Sequence, residues 1–141
     1  MKSSLLERVK EYIYQNDRLF AFLEARILDF KEGYAEVEME VKEKHLNSAQ
    51  ICQGGVIFTL ADLAFALASN SYGTLALAVK ANITYIKPAK VGDLLIARAK
   101  EFHRGKNLAS YHISIFKKPT EEKIAFFEGL VYLIDKPIVS D

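Results

Sequence analysis

The chain has 141 residues, half of them apolar, with 19 basic against 18 acidic side chains and a formal net charge of +1. That is the make-up of one globular domain, residues 1–141, able to bury a core without a staple, and its charge balance excludes a dedicated nucleic-acid binder. A single cysteine, Cys52, excludes an internal disulfide framework, and the scattered His45, His103 and His112 leave no metal cluster in view.

The first sixteen residues place Leu5, Leu6, Val9, Tyr12 and Ile13 at helical spacing, with Ser4 and Glu7 spaced as a capping box. They predict an amphipathic helix over residues 3–15. Its mixed charges suit packing on a domain rather than lying on a membrane, and with no apolar signal core the expected location is the cytoplasm. Phe20 to Phe30 and Tyr34 to Val41 then read as two extended stretches around Lys31-Glu32-Gly33, the second alternating acidic with apolar or small residues as a half-buried strand does. Lys42 to Gln53 has no period and reads as a loop. After Gly54-Gly55, the Ala- and Leu-rich run to Asn70 predicts a helix over about 55–70, apolar on nearly every side and therefore buried. It is too short for a bilayer and carries Asp62 near its middle.

Four strands should follow: Leu75 to Ile86, Leu94 to His103, Ala109 to Phe116 and Ile124 to Ile134, the last three joined by short turns as a meander. Helix, two strands, a buried helix and four strands predict an α+β fold in which an antiparallel sheet wraps the central helix.

Asp62 is the most informative residue. A carboxylate inside an apolar helix loses hydration, so it is either satisfied by a Ser, Thr or backbone partner or serves as a base or nucleophile in a cavity. Gly54-Gly55 before the helix is either a tight entry or a pair of free amides, backed by the helix dipole, for a developing oxyanion. Eight residues separate Gly54 from Asp62, about 12 Å along a helix axis. One carbonyl cannot readily touch both, so joint action requires Asp62 from a neighbouring subunit. Asn47 and Gln53 are neutral polar groups in the preceding loop, and Cys52 reads as a packing residue. Lys80, Lys87, Arg104 and Lys106 stand at strand ends and turns, either solvated or facing the phosphates of a ligand. His103 and His112 have no triad context, and no phosphate-loop, dinucleotide or HExxH motif is present.

Taken together, the run from Asn47 through Gln53-Gly54-Gly55 to Asp62, with Asn82-Ile-Thr-Tyr-Ile-Lys-Pro-Ala89 and Gly92-Asp93 downstream, resembles the PaaI-type hotdog-fold acyl-CoA thioesterases over about residues 20–134. The resemblance implies the hotdog fold and hydrolysis of acyl-CoA, with coenzyme A as part of the substrate and no further cofactor. It implies dimers or tetramers whose sites are shared between subunits. It gives the Gly54 amide to the carbonyl, Asn47 to the acyl group or water, and Asp62 of the partner subunit to the role of base or nucleophile. Gly55, Phe58, Thr59, Leu63, Phe65 and Ala66 would line the substrate, an apolar surface that suits a medium-to-large apolar or aromatic acyl group, and Lys80, Lys87, Arg104 and Lys106 would meet its phosphates. Gln53 stands where the family usually has His, and Ala78 where some members have Ser. The alternative is an acyl-CoA-binding hotdog domain without turnover. A hydratase would need a His five residues past Asp62, where Leu67 stands.

Overall fold

The computed structural model describes residues 4–140. Helix α1 spans Leu5–Asn16, its start fixed by the Ser4 hydroxyl, which accepts the Glu7 amide at 3.1 Å. The expected start at residue 3 lies outside the described residues. Val9 and Ile13, one turn apart, dock the helix on the core.

The extended stretch expected from Phe20 to Phe30 needs correction. Arg18–Leu23 forms a short helix, α2, and strand β1 starts only at Arg26 and runs to Lys31. Asp17 caps this helix by accepting the Leu19 amide at 3.3 Å. Phe20 and Leu23, spaced i and i+3, are both buried, and Glu24 ends the turn with φ 54°. Local capping and a helical pair of anchors thus outweigh the strand preference of the aromatic residues. Strand β2, Tyr34–Glu40, pairs antiparallel with β1 through the Glu32-Gly33 turn, where Gly33 takes φ 72°. Its Ala35, Val37 and Met39 are buried in the core, as the alternation predicts. The loop from Lys42 to Gln53 contains a 3-10 turn, Glu43–His45, and closes on itself through a bridge between Leu46 and Cys52.

Helix α3 spans Gly54–Asn70. Strands β3 (Thr74–Tyr85), β4 (Leu94–Arg104), β5 (Leu108–Lys118) and β6 (Glu122–Pro137) complete a six-stranded antiparallel sheet of order β1-β2-β4-β5-β6-β3. This is the hotdog architecture: the sheet curls around α3, with Leu60, Ala64, Leu67 and Ala68 of the helix packed in one core with Ala97, Ala99, Ile113, Ile115 and Phe127 of the sheet. Small residues on both surfaces let the helix lie close to the strands. The C-terminal end of α3 is tied down by Asn70, whose side chain accepts the Ala76 amide at 2.8 Å, and by Ser71, whose hydroxyl accepts the Gly33 amide at 2.7 Å.

Gly129 of β6 lies hard against α3, with no room there for a side chain. A Cβ there would lie 2.6 and 2.8 Å from the two Cε atoms of Phe65, itself wedged between Tyr111 and Phe127. Gly129→Ala is therefore expected to overpack the core and cost about 1–3 kcal/mol, read as a lower urea midpoint, and Phe65→Leu in the same chain should recover part of the loss.

Candidate active site

The loop before α3, the start of that helix and the end of β3 surround one open pocket, lined by Asn47, Ile51, Cys52, Gly54, Ile57, Tyr85, Ile86, Lys87 and Pro88. Gln53 is the N-cap of α3, but its exposed side chain makes no capping bond. Its carbonyl accepts the amides of Val56 and Ile57 at 3.0 and 3.2 Å. The amides of Gly54 and Gly55 have no acceptor among the described residues, so two N–H groups face outward at the positive end of a 17-residue helix.

Asn47 is held by its own loop. Its Oδ1 accepts the amides of Ala49 and Ile51 at 2.9 and 3.3 Å, which leaves Nδ2 as a donor with no partner among the described residues. Two further bonds brace the loop: the Cys52 amide donates to the Ala89 carbonyl at 2.8 Å and the Gln53 amide to the His45 carbonyl at 2.8 Å. His45 is buried, accepts the Lys42 amide on Nδ1 at 2.9 Å and has no partner for Nε2. Burial favours its neutral form. Burial also pushes the Cys52 thiol up to about 11, which agrees with a packing role rather than a nucleophilic one.

Along α3 the partly open residues form a stripe. Gly55, Phe58, Thr59, Asp62 and Ala66 follow the i, i+3, i+4, i+7, i+11 spacing of one helix face, and none of them is fully buried. Phe58 sets its ring edge-on to Phe127 at 5.0 Å, and Thr59 donates to the Gly55 carbonyl at 2.8 Å. Leu63 lies off the stripe at 2% exposure, within the core, and Phe65 is likewise a core residue. Asp62 has no hydrogen-bond or ion-pair partner among the described residues, so the reading of a carboxylate satisfied by a Ser, Thr or backbone group is set aside. Burial, then the negative charge of Asp17, raises its pKa above the ordinary carboxylate value. Within one chain Asp62 remains two turns from Gly54, about 12 Å along the axis, and does not line the Gly54 pocket.

The basic residues are dispersed. Lys87 lines the pocket but pairs with Glu122 at 2.7 Å. Lys80 and Lys106 are exposed without an ion pair among the described residues. Arg104 sits beyond the other end of α3, stacked 3.9 Å over Tyr72, and shares Glu101 with the hydroxyls of Tyr72 and Tyr111. In one chain it is remote from Gly54. The residues that sequence reasoning missed are Ile51, Ile57, Tyr85, Ile86 and Pro88, the pocket's apolar wall. Their signal was the strand end at Lys87-Pro88, which brings Tyr85 and Ile86 back over the helix start.

The family model of the thioesterase superfamily matches residues 49–124. A protein of Archaeoglobus fulgidus named as an esterase is 54% identical over 96% of this chain and 87% of its own. The acyl-coenzyme A thioesterase PaaI of Escherichia coli K12 is 37% identical over 92% of this chain and 91% of its own. The solved structure of the E. coli PaaI protein superposes with a TM-score of 0.91, covering 96% of this chain and all of that one. The smu.793 protein of Streptococcus mutans, solved with acetyl CoA bound, has a TM-score of 0.77 at 27% identity, covering 80% of this chain and 90% of that one. Among the described residues no helix is long and apolar enough to cross a membrane.

Proposed function

We propose, from the premise that this chain belongs to the thioesterase superfamily and to its PaaI-like acyl-CoA thioesterases, that it hydrolyses a medium-to-large apolar or aromatic acyl-CoA to the free acid and coenzyme A. The observation that carries this reading is the pair of unpartnered amides of Gly54 and Gly55 at the start of α3, beside a pocket that Gly54 lines and whose other walls are mostly apolar. In the proposed mechanism the thioester oxygen sits on these amides, which stabilise the negative charge that grows on it. Asn47 Nδ2 holds the acyl group or the water. A carboxylate then either takes the proton of an attacking water or attacks the carbonyl carbon itself, and in the second case a water afterwards hydrolyses the mixed anhydride to release the free acid and restore the carboxylate. The tetrahedral intermediate collapses, the C–S bond breaks, and the departing thiolate is protonated. Gln53, in place of an imidazole, supplies a neutral donor beside the carbonyl.

The carboxylate is Asp62 of the partner subunit. Strand β3 pairs with β6 on one side only, and its free edge carries Leu77 and Val79 at 51% and 58% exposure. An apolar edge strand of this length invites pairing with a second copy. The shared site requires that such a dimer bring the open stripe of one α3 to the Gly54 pocket of the other. Of the four dispersed basic residues, Lys80 and Lys106 have no ion pair among the described residues and are assigned to the coenzyme A phosphates, with Lys87 and Arg104 in reserve once their carboxylate partners yield.

Free-thiol release from a panel of short, long and aromatic acyl-CoAs tests the activity. Turnover is expected to be fastest for the larger apolar and aromatic esters. No turnover on any of them, with each still raising the melting temperature, would make the chain a binding module instead.

A further inference from the structure

We propose that Tyr85 is a positioning residue for the oxyanion-binding amides, a role that rests on the reading of Gly54 and Gly55 above. Tyr85 closes β3, and its hydroxyl donates to the Gly54 carbonyl at 2.7 Å. Its ring lies flush against the glycine: a Cβ at Gly54 would come within 2.8 Å of the hydroxyl oxygen and 2.9 Å of Cζ. The side chain thus fits this glycine and no larger residue.

The geometry has a directional consequence. The Gly54 carbonyl belongs to the same peptide group as the Gly55 N–H. A helical carbonyl already serves the amide four residues on, so the phenol is a second donor to it. Drawing electron density toward that oxygen makes the N–H at the other end of the peptide a stronger donor. The neighbouring peptide is engaged in the same way, because the Gln53 carbonyl accepts both Val56 and Ile57 while the Gly54 N–H stays free. Both free amides therefore sit on peptides whose carbonyls carry two donors, and only one of the four comes from a side chain. That one is Tyr85.

Packing alone does not explain the contact. Tyr85 is 49% exposed, and the strand end is held without it by the amides of Ile86 and Lys87, which donate to the Ile124 carbonyl at 2.8 and 3.1 Å. Tyr85→Phe removes the hydroxyl and keeps the ring against Gly54.

The expected result is a kcat lower by about tenfold with KM and melting temperature nearly unchanged, as befits a group felt mainly when charge develops on the oxygen. The second readout is the infrared stretch of a carbonyl-13C-labelled acyl-CoA bound to the slow variant Asp62→Asn, with and without Tyr85→Phe. A red shift of that stretch in Asp62→Asn, reduced when Tyr85→Phe is added, supports the role. A red shift that Tyr85→Phe leaves in place, or a kcat it leaves unchanged, overturns the role of Tyr85 alone. No red shift in Asp62→Asn itself removes the amide site and the reading beneath it.

Discussion

Asp62→Asn is expected to lower kcat by about a hundred- to ten-thousandfold while acyl-CoA still binds, the loss typical of removing a positioned base. The physical case begins with its isolation. A half-buried carboxylate on an otherwise apolar helix, with no partner among the described residues, is a poor structural element. Its raised pKa means that the fold holds the proton more tightly than the unfolded chain does. The sign follows: the unfolded state binds fewer protons above the ordinary Asp range, so this group lowers stability as pH rises, and at pH 7 its ionised form is unfavourable. Asn keeps the shape and removes the charge. The variant should therefore melt at the same temperature as the parent chain or slightly higher, which separates loss of chemistry from loss of fold. In the parent chain kcat/KM should climb with pH as Asp62 ionises, along a limb above the usual carboxylate range near 3.9. Thiol release with background subtraction checks all three results. An unchanged rate in a variant that melts normally would end the assignment of Asp62 as base or nucleophile.

The fold was legible because its signals are local. The strict alternation of Tyr34–Glu40 places β2, the apolar run after Gly54 places α3, and the turns at residues 104–107 and 118–121 set the meander of β4, β5 and β6. Helix α2 escaped because Arg18-Leu-Phe-Ala-Phe-Leu23 is too short to show a period, and its caps, Asp17 and Glu24, act through conformation rather than composition. The site was legible in outline for a different reason: Asp62 is conspicuous wherever an apolar helix surrounds it, and paired glycines ahead of such a helix leave amides free. Sequence spacing could not tell which of Phe58, Leu63, Phe65 and Ala66 would face outward. The stripe of Gly55, Phe58, Thr59, Asp62 and Ala66 emerges only once the sheet has covered the rest of the helix. Nor could it show Tyr85 meeting Gly54 from 31 residues away, since that contact depends on the register of β3 against β6 and the turn of the chain at Pro88.

Two inactive variants mixed as one dimer are expected to recover about a quarter of the parent activity, by random pairing of subunits across a two-fold interface. The first variant is Asp62→Asn, which keeps the amides. The second is Gly54→Val, whose side chain would collide with Tyr85 and displace it from the helix start while leaving Asp62 intact. Half of the dimers formed after joint refolding are mixed, and each mixed dimer has one intact site, Gly54 of one subunit facing Asp62 of the other, beside one site with both defects. The recovery comes from geometry rather than from averaging, because each variant alone has no intact site in any pairing. A site within one chain could not regain activity by mixing, because every chain carries one of the two defects; the distance of about 12 Å between Gly54 and Asp62 on one helix already argues against such a site. Differently tagged subunits allow the mixed dimer to be purified and its thiol release measured directly, with about half the parent rate expected for that species. A purified mixed dimer without activity would overturn the shared site, either returning Asp62 to a site within its own chain or removing it from the chemistry, and would leave the exposed edge of β3 unconnected to catalysis.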